Sequence, residues 1–168
     1  MANIDFRDRV RRHGLLLYEK EHGSLPDGDW REALKRAGGI QERAGGISPP
    51  VLHQESPAGL RPPLLVFRCP SHPDLAEDET TYAMIGDVPN LTPSPNQILL
   101  VEVFQPQKLG EGDGRIPFEQ ATFETGLGSH HMGGINVGFR SGAVRFISQT
   151  VNSEVWQKLL DGTAETLP

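Results

Sequence analysis

The stretch His131-Met-Gly-Gly-Ile-Asn-Val-Gly-Phe-Arg-Ser-Gly-Ala-Val-Arg-Phe-Ile147 predicts a β-hairpin, because two alternating segments flank a turn-forming Ser141-Gly142 pair. A two-residue turn at that pair sets these apolar residues opposite each other: Phe139 and Val144, then Val137 and Phe146. One face of the hairpin is then apolar and the other is mixed and partly charged, as expected for an antiparallel pair with one buried side. We therefore expect residues 135–147 to form two neighbouring strands of a half-buried sheet.

Three segments before the hairpin predict further strands of the same sheet. Residues 64–68 begin with a short apolar run, and residues 80–86 are rich in β-prone types and close at a glycine. Residues 97–104 are apolar on both faces, which indicates a central strand. Residues 105–128 hold several glycines and predict a long loop, so the sheet is expected to lie within residues 64–147.

Helical patterns lie towards the two ends of the chain. Residues 3–22 carry apolar side chains at three- and four-residue spacing, and the pattern stops at His22-Gly23. A short helix is expected from Trp30 to Ala37, and a last one over residues 153–161. Prolines predict that residues 38–63 are irregular.

The order of these elements predicts an α+β fold. Helices, then strands, then a helix favour an antiparallel sheet with the N-terminal helix packed on it, long loops and a short C-terminal helix. A length of 168 residues suits one domain, 1–168. The residues expected in its core are Leu17, Val66, Leu99, Val101, Val137, Phe139, Val144 and Phe146.

Composition narrows the classes of function. A net charge of −6 disfavours a phosphate-backbone partner, so no nucleic-acid binding is expected. No apolar stretch reaches the roughly 18 residues of a membrane span, so this chain itself is expected to make no membrane contact. Cys69 is the only cysteine, which rules out an internal disulfide. Phosphate-binding glycine loops and nucleophile-elbow motifs are absent from the sequence.

Five segments follow one another in a distinctive order. They are Gly14–Pro26 with Tyr18, His22 and Gly23; Phe67–Ser71 with Cys69 and Pro70; Thr80–Gly86; Asn96–Glu102; and the hairpin segment from His131 through Gly134 and Asn136 to Ser141-Gly142. Together they resemble the C-terminal domain of a large bacterial family of prepilin-like proteins of unknown function, defined by a His-x9-Asp-Gly motif. Ser141 stands where the family has aspartate, and serine can still form the turn.

The resemblance implies a fold and a function. The fold would be pilin-like, with residues 3–22 as the C-terminal half of the family's long N-terminal helix. The function would be that of a non-enzymatic structural subunit of a cell-envelope filament or secretion apparatus, similar to the major pseudopilins of type II secretion. Its partners would be other pilin-like subunits or envelope proteins, on the periplasmic side. The membrane helix that precedes the domain in the family has no counterpart before Asn3.

His130 and His131 are the most conspicuous candidates for a metal site. Neighbouring residues in an extended segment point to opposite faces, so the pair makes poor joint ligands. We expect His131 to have a structural role. Because both residue types recur in the family pattern, and because a carboxylate on the central strand would need a partner if buried, we hypothesise that His131 contacts Glu102.

Other candidate site residues also have structural interpretations. Cys69 follows a predicted strand and is expected to be a small buried hydrophobe rather than a nucleophile. Asp74 and Asp78 belong to an acidic run for which calcium binding is an alternative to a solvated turn, because related pseudopilins hold calcium in a loop. No catalytic residue and no cofactor is expected. The alternative function is a soluble module that binds a ligand or metal through residues 105–128 and the two histidines.

Overall fold

The computed structural model of the chain describes residues 5–34, 69, 71–72, 74–76, 78–86, 88, 93–108 and 110–166. Its helices and strands are α1 (Asp5–His22), β1 (Glu79–Gly86), β2 (Ile98–Lys108), β3 (Arg115–Pro117), β4 (Gly134–Phe139), β5 (Val144–Ser148) and α2 (Ser153–Asp161). The strands form one mixed sheet in the order β3-β1-β2-β4-β5, so the predicted α+β class is confirmed. Residues 30–34 are helical as well; residues 35–37, the irregular segment 38–63 and the predicted strand at 64–68 lie outside the described residues.

The middle of the sheet follows the sequence pattern closely. β2 is the central strand and pairs antiparallel with β1 on one side and with β4 on the other, as its two apolar faces predict. The strand β3 departs from the expectation of a wholly antiparallel sheet, because it pairs parallel with β1. The chain reaches it from the end of β2 through a turn in which Gly110, Gly112 and Gly114 all have positive φ.

The predicted long loop over residues 105–128 is wrong in part. Residues 105–108 continue β2, residues 115–117 form β3, and Phe118–Gln120 form a 3-10 turn. Three residues are too few to show the alternation by which strands are recognised, and the flanking glycines hide the strand further. The glycine-rich turn before β3 is also held to the N-terminal part of the chain, because the Trp30 indole donates a hydrogen bond of 2.7 Å to the Gly114 carbonyl.

The hairpin forms, but its register differs by one residue from the prediction. Its turn has three residues instead of two: the Gly142 N–H donates to the Phe139 carbonyl, and the Phe139 N–H donates to the Ala143 carbonyl. Gly142 takes a φ of 82°, which this turn requires and glycine adopts readily. Val137 therefore lies opposite Arg145 rather than Phe146.

A slip of one residue turns every side chain of β5 to the other face. Phe146, expected in the core, is 49% exposed, and Val144 is only partly buried. Ile147 is buried in their place. The hydrophobic pattern of the two strands does not distinguish the two registers, because β5 has apolar residues at both even-numbered and odd-numbered positions, which point to opposite faces.

Helices cover both faces of the sheet. On one face Leu15 of α1 packs in a cluster with Trp30, Tyr82, Met84 and Leu100. On the other face, Trp156, Leu159 and Leu160 of α2 pack in a cluster that includes these strand residues: Ile98, Val101, Val137 and Phe139. None of the helices in the described chain combines the length and the apolar character that crossing a membrane requires.

The predicted core is therefore correct in some of its members but not in its arrangement. Leu99, Val101, Val137 and Phe139 are buried, whereas Leu17 is 37% exposed and Val66 lies outside the described residues. Val137 and Phe139 were expected beneath the N-terminal helix, but they cluster with the C-terminal one. The expected span 153–161 is the observed span of α2, which is capped by the Asn152 side chain and ends at Gly162 with a φ of 80°.

Phe139→Ala should destabilise the protein by about 3–5 kcal/mol, because it removes a fully buried ring from the cluster under α2. Phe146→Ala is the matched control, and it should cost roughly 1 kcal/mol, because half of that ring already contacts solvent. Urea unfolding followed by circular dichroism measures both. Equal losses of stability in the two variants would contradict the observed register.

Candidate functional site

The central strand carries one buried carboxylate, that of Glu102. The residue lies among apolar neighbours in β2 and is fully buried. Asn136 of the adjacent strand β4 binds one of its oxygens: the backbone N–H of Asn136 donates to Oε2 at 2.7 Å, and Nδ2 lies 3.4 Å from the same atom. The other oxygen, Oε1, points to groups from outside the sheet.

The first of these groups is the imidazole of His131. Its Nε2 lies 3.2 Å from Glu102 Oε1, so the structure places the two residues in contact as hypothesised from the sequence. The segment before β4 positions the ring. Ser129 Oγ accepts a hydrogen bond from the His131 N–H at 3.0 Å and donates one to the Gly134 carbonyl at 2.7 Å, which closes a tight turn.

The segment around Cys69 approaches the same imidazole. Cys69 is buried, and its Sγ lies 3.5 Å from His131 Nε2, while Ser71 Oγ lies 3.4 Å from Nδ1. One sulfur, one nitrogen and one oxygen atom thus lie within 4.8 Å of one another. We call Cys69, Glu102 and His131 the Cys-Glu-His cluster.

The electrostatics of the cluster oppose a nucleophilic thiol. Burial raises the pKa of the Cys69 thiol above its usual 9.0, and the neighbouring Glu102 carboxylate raises it further. Catalytic thiols have a lowered pKa, so that the thiolate is present near neutral pH.

The geometry also differs from that of a catalytic relay. In a relay the imidazole uses one nitrogen for the nucleophile and the other for the carboxylate. Here Cys69 Sγ and Glu102 Oε1 both lie near the same nitrogen, Nε2 of His131, and Nδ1 faces Ser71. The three donor atoms converge on one point instead of forming a chain.

His130 lies apart from the cluster. Its side chain is exposed, and its ring contacts that of His72, with 4.1 Å between the centroids, and stacks on Phe104 at 6.2 Å. The two neighbouring histidines thus have different partners, which agrees with the expectation that they do not act as joint ligands.

The remaining motif residues stabilise local structure. Tyr18 and His22 stack at 4.0 Å in the last turn of α1, and Gly23 follows with a φ of 79°. At the other end of the chain, Ser141 and Gly142 form the hairpin turn, where Ser141 Oγ accepts a hydrogen bond from the Ala143 N–H at 3.3 Å. Serine thus retains a contact with the turn backbone.

Gly134 has a steric role at the start of β4. A Cβ atom there would lie 2.1 Å from the Ile147 carbonyl oxygen, so the close approach of β5 requires glycine. Pro70, which the resemblance also marks, lies outside the described residues.

The acidic residues Asp74 and Asp78 are not brought together with further acidic side chains in the described chain. Both are exposed, and among the described residues the side chains of His, Cys, Asp and Glu come together in threes only in the Cys-Glu-His cluster. The glycine-rich turn after β2 lines an open polar depression with Glu79 and residues 106–108 and 111–115, but neither histidine borders it. The alternative function, binding through residues 105–128 and the two histidines, stays a prediction.

All three members of the cluster were candidate residues from the sequence, but the sequence did not predict that Cys69 lies next to the other two. The missing information was the path of the chain before β1, which no local pattern specifies. The role of Asn136 was also missed, although a polar residue between apolar ones in a predicted inner strand is a usable signal.

Comparison of the chain with protein-family models, with curated proteins and with solved structures gives no match. The family resemblance noted in the sequence therefore stays a prediction.

The raised pKa of Cys69 predicts a pH dependence of stability. The thiol stays protonated in the folded protein at a pH where the unfolded chain already loses the proton, so its contribution is complete below pH 9.0 and is lost as the pH rises above it. The wild type should therefore lose stability relative to Cys69→Ala when the pH is raised from about 8 to about 10.5. This is measured as a fall in the urea midpoint of the wild type relative to that of the variant. A chelator keeps metal ions out of the measurement, and a constant difference would contradict the raised pKa.

Proposed function

We propose that this chain is the globular domain of a pilin-like or pseudopilin-like subunit, a non-enzymatic structural component of a cell-envelope filament or secretion apparatus. The proposal combines the ordered set of five segments in the sequence with an α+β fold in which an N-terminal helix packs on a sheet. Its partners would be further copies of this chain or related subunits of the envelope.

One observation carries the proposal: the C-terminal half of α1 is fixed to the sheet and still presents an apolar residue outwards. Leu15 is fully buried against the sheet, and Glu19 forms an ion pair with Arg140 next to the hairpin turn. Leu17, on another side of the helix, is 37% exposed. A helix that is held by one side and exposes a leucine on another can offer that leucine to the helix of a neighbouring subunit.

In its metal-free form, the Cys-Glu-His cluster supports a non-enzymatic role. Its thiol has a raised pKa, and both partner atoms face the same imidazole nitrogen, so the arrangement lacks the features that activate a nucleophile. The cluster instead joins three distant parts of the chain. The same observation favours a second candidate function, a metal-binding module, because the three side chains are all metal-ligand types.

The assembly proposal predicts contacts between copies through α1. Leu17→Cys, expressed from the complete gene in its native cells, should give crosslinked dimers or larger species with a thiol-reactive crosslinker, because α1 meets its neighbours in the assembly. Val155→Cys on α2 is the matched control: it is similarly exposed, at 41%, but the sheet separates it from α1. The native Cys69 is buried and should react slowly.

Gel electrophoresis of the cell-envelope fraction measures the outcome. Crosslinks through position 17 and their absence through position 155 support assembly by α1. A chain that stays monomeric in both variants, or that is missing from the envelope fraction, would overturn the proposal.

A further inference from the structure

We propose that Cys69, Glu102 and His131 bind a Zn²⁺ ion, with water in the fourth position. The site would hold Cys69, Ser71 and residues 129–131 to the central strand, and its open fourth position is the coordination of catalytic rather than closed structural zinc sites. The inference does not depend on the assembly function; it specifies the ion of the metal-binding alternative and rests on the contacts of these side chains alone.

The donor set has the chemistry of a zinc site. Zn²⁺ is bound in proteins by cysteine sulfur, histidine nitrogen and carboxylate oxygen, and the cluster offers one of each. The thiolate disfavours the hard cations Ca²⁺ and Mg²⁺, which take oxygen ligands. Thiolate and Glu102 carboxylate together supply two negative charges, which a divalent cation would neutralise.

The distances between the donor atoms suit a common tetrahedral ion. With Zn–N and Zn–O bonds of about 2.1 Å and a Zn–S bond of about 2.3 Å, tetrahedral geometry separates N from S by about 3.6 Å and N from O by about 3.4 Å. The observed separations from His131 Nε2 are 3.5 Å to Cys69 Sγ and 3.2 Å to Glu102 Oε1. These two separations are close to the expected values, and the third, between Sγ and Oε1, is at most 4.8 Å.

A buried oxygen atom points independently to a cation. Glu102 is fully buried, and its Oε1 lacks a hydrogen bond of good geometry in the described part of the chain, although Nε2 of His131 lies 3.2 Å away and the Cys69 thiol is also close. A buried carboxylate oxygen left in this state is costly. An ion between Oε1, Nε2 and Sγ would satisfy it, and the imidazole would then contribute its lone pair at Nε2.

The groups around the cluster orient the three ligands. The backbone and side chain of Asn136 hold Oε2 of the carboxylate, which directs Oε1 into the cluster. Ser71 Oγ lies 3.4 Å from His131 Nδ1, so a proton on Nδ1 can be shared with it and Nε2 is free to ligate. Metal-bound histidines and carboxylates commonly have such partners. The His131 side chain is 16% exposed, which gives water access to the fourth position.

The competing arrangement is a metal-free clasp held by hydrogen bonds. In that arrangement a proton on Nε2 of His131 is donated to Glu102, and the Cys69 thiol keeps its own proton. An ion would displace both protons from the cluster and use all three atoms. This difference makes the two arrangements distinguishable by experiment.

Cobalt titration of the full chain under reducing conditions tests the site, because Co²⁺ replaces Zn²⁺ and reports its ligands by absorption. The expected result is saturation at one equivalent, with visible bands of a tetrahedral ion and a near-ultraviolet thiolate-to-cobalt charge-transfer band. Zn²⁺ should then displace the cobalt and abolish the bands. Zn²⁺ should also raise the melting temperature of the apo protein, because the ion binds the folded state.

Three variants separate the cluster from its surroundings. Glu102→Gln and Cys69→Ser should each weaken cobalt binding by more than about 100-fold, since even the partners that orient metal ligands contribute 10–100-fold. Cys69→Ser should also lose the charge-transfer band. His130→Gln, which alters the adjacent histidine outside the cluster, is the matched control and should bind as the wild type does.

The wild-type titration decides the matter even if a variant fails to fold. Without saturable cobalt binding or a charge-transfer band, the cluster is a metal-free clasp and the proposal is wrong. Binding that persists in folded Cys69→Ser with the same spectrum would also overturn it. Either result leaves the crosslinking test through Leu17 unaffected, so the two proposals can fail separately.

Discussion

The structure depends on the burial of one carboxylate in the middle of its sheet. Glu102 occupies the centre of the central strand and is fully buried, so its charge must be met by groups that the chain brings to it. Asn136 supplies two contacts from the neighbouring strand. His131 and Cys69 approach from segments outside the sheet. One costly residue therefore determines how three other parts of the chain are placed.

Glu102 also fixes the register of β2 against its neighbouring strands. If β2 slipped by one position, Glu102 would move to the face on which Val137 and Phe139 pack with α2. A slipped register would separate the carboxylate from His131 and Cys69, which meet it on its present face. The polar contact thus specifies a register that apolar side chains on both faces would leave ambiguous.

The sequence predicted individual helices and strands better than it predicted how they pair and pack. The central strand, the strand predicted at 80–86 and the helix at 153–161 follow from patterns of neighbouring residues, and the contact between His131 and Glu102 was expected from the family pattern together with the need to pair a buried carboxylate. The predicted hairpin register was wrong because a three-residue turn with Gly142 competes with a two-residue turn, and the spacing of apolar residues fits both. The approach of Cys69 depends on a chain path with no local signature.

The ion pair between Glu19 and Arg140 has a consequence for synthesis on the ribosome, because its residues lie 121 positions apart in the chain. At a rate of about 5–20 residues per second, the helix emerges roughly 6–24 s before its partner is made. Until β1 and β2 have been made, Leu15 lacks the strand residues that cover it, and the ion pair closes only later. The nascent helix therefore carries an uncovered leucine until most of its sheet has been translated.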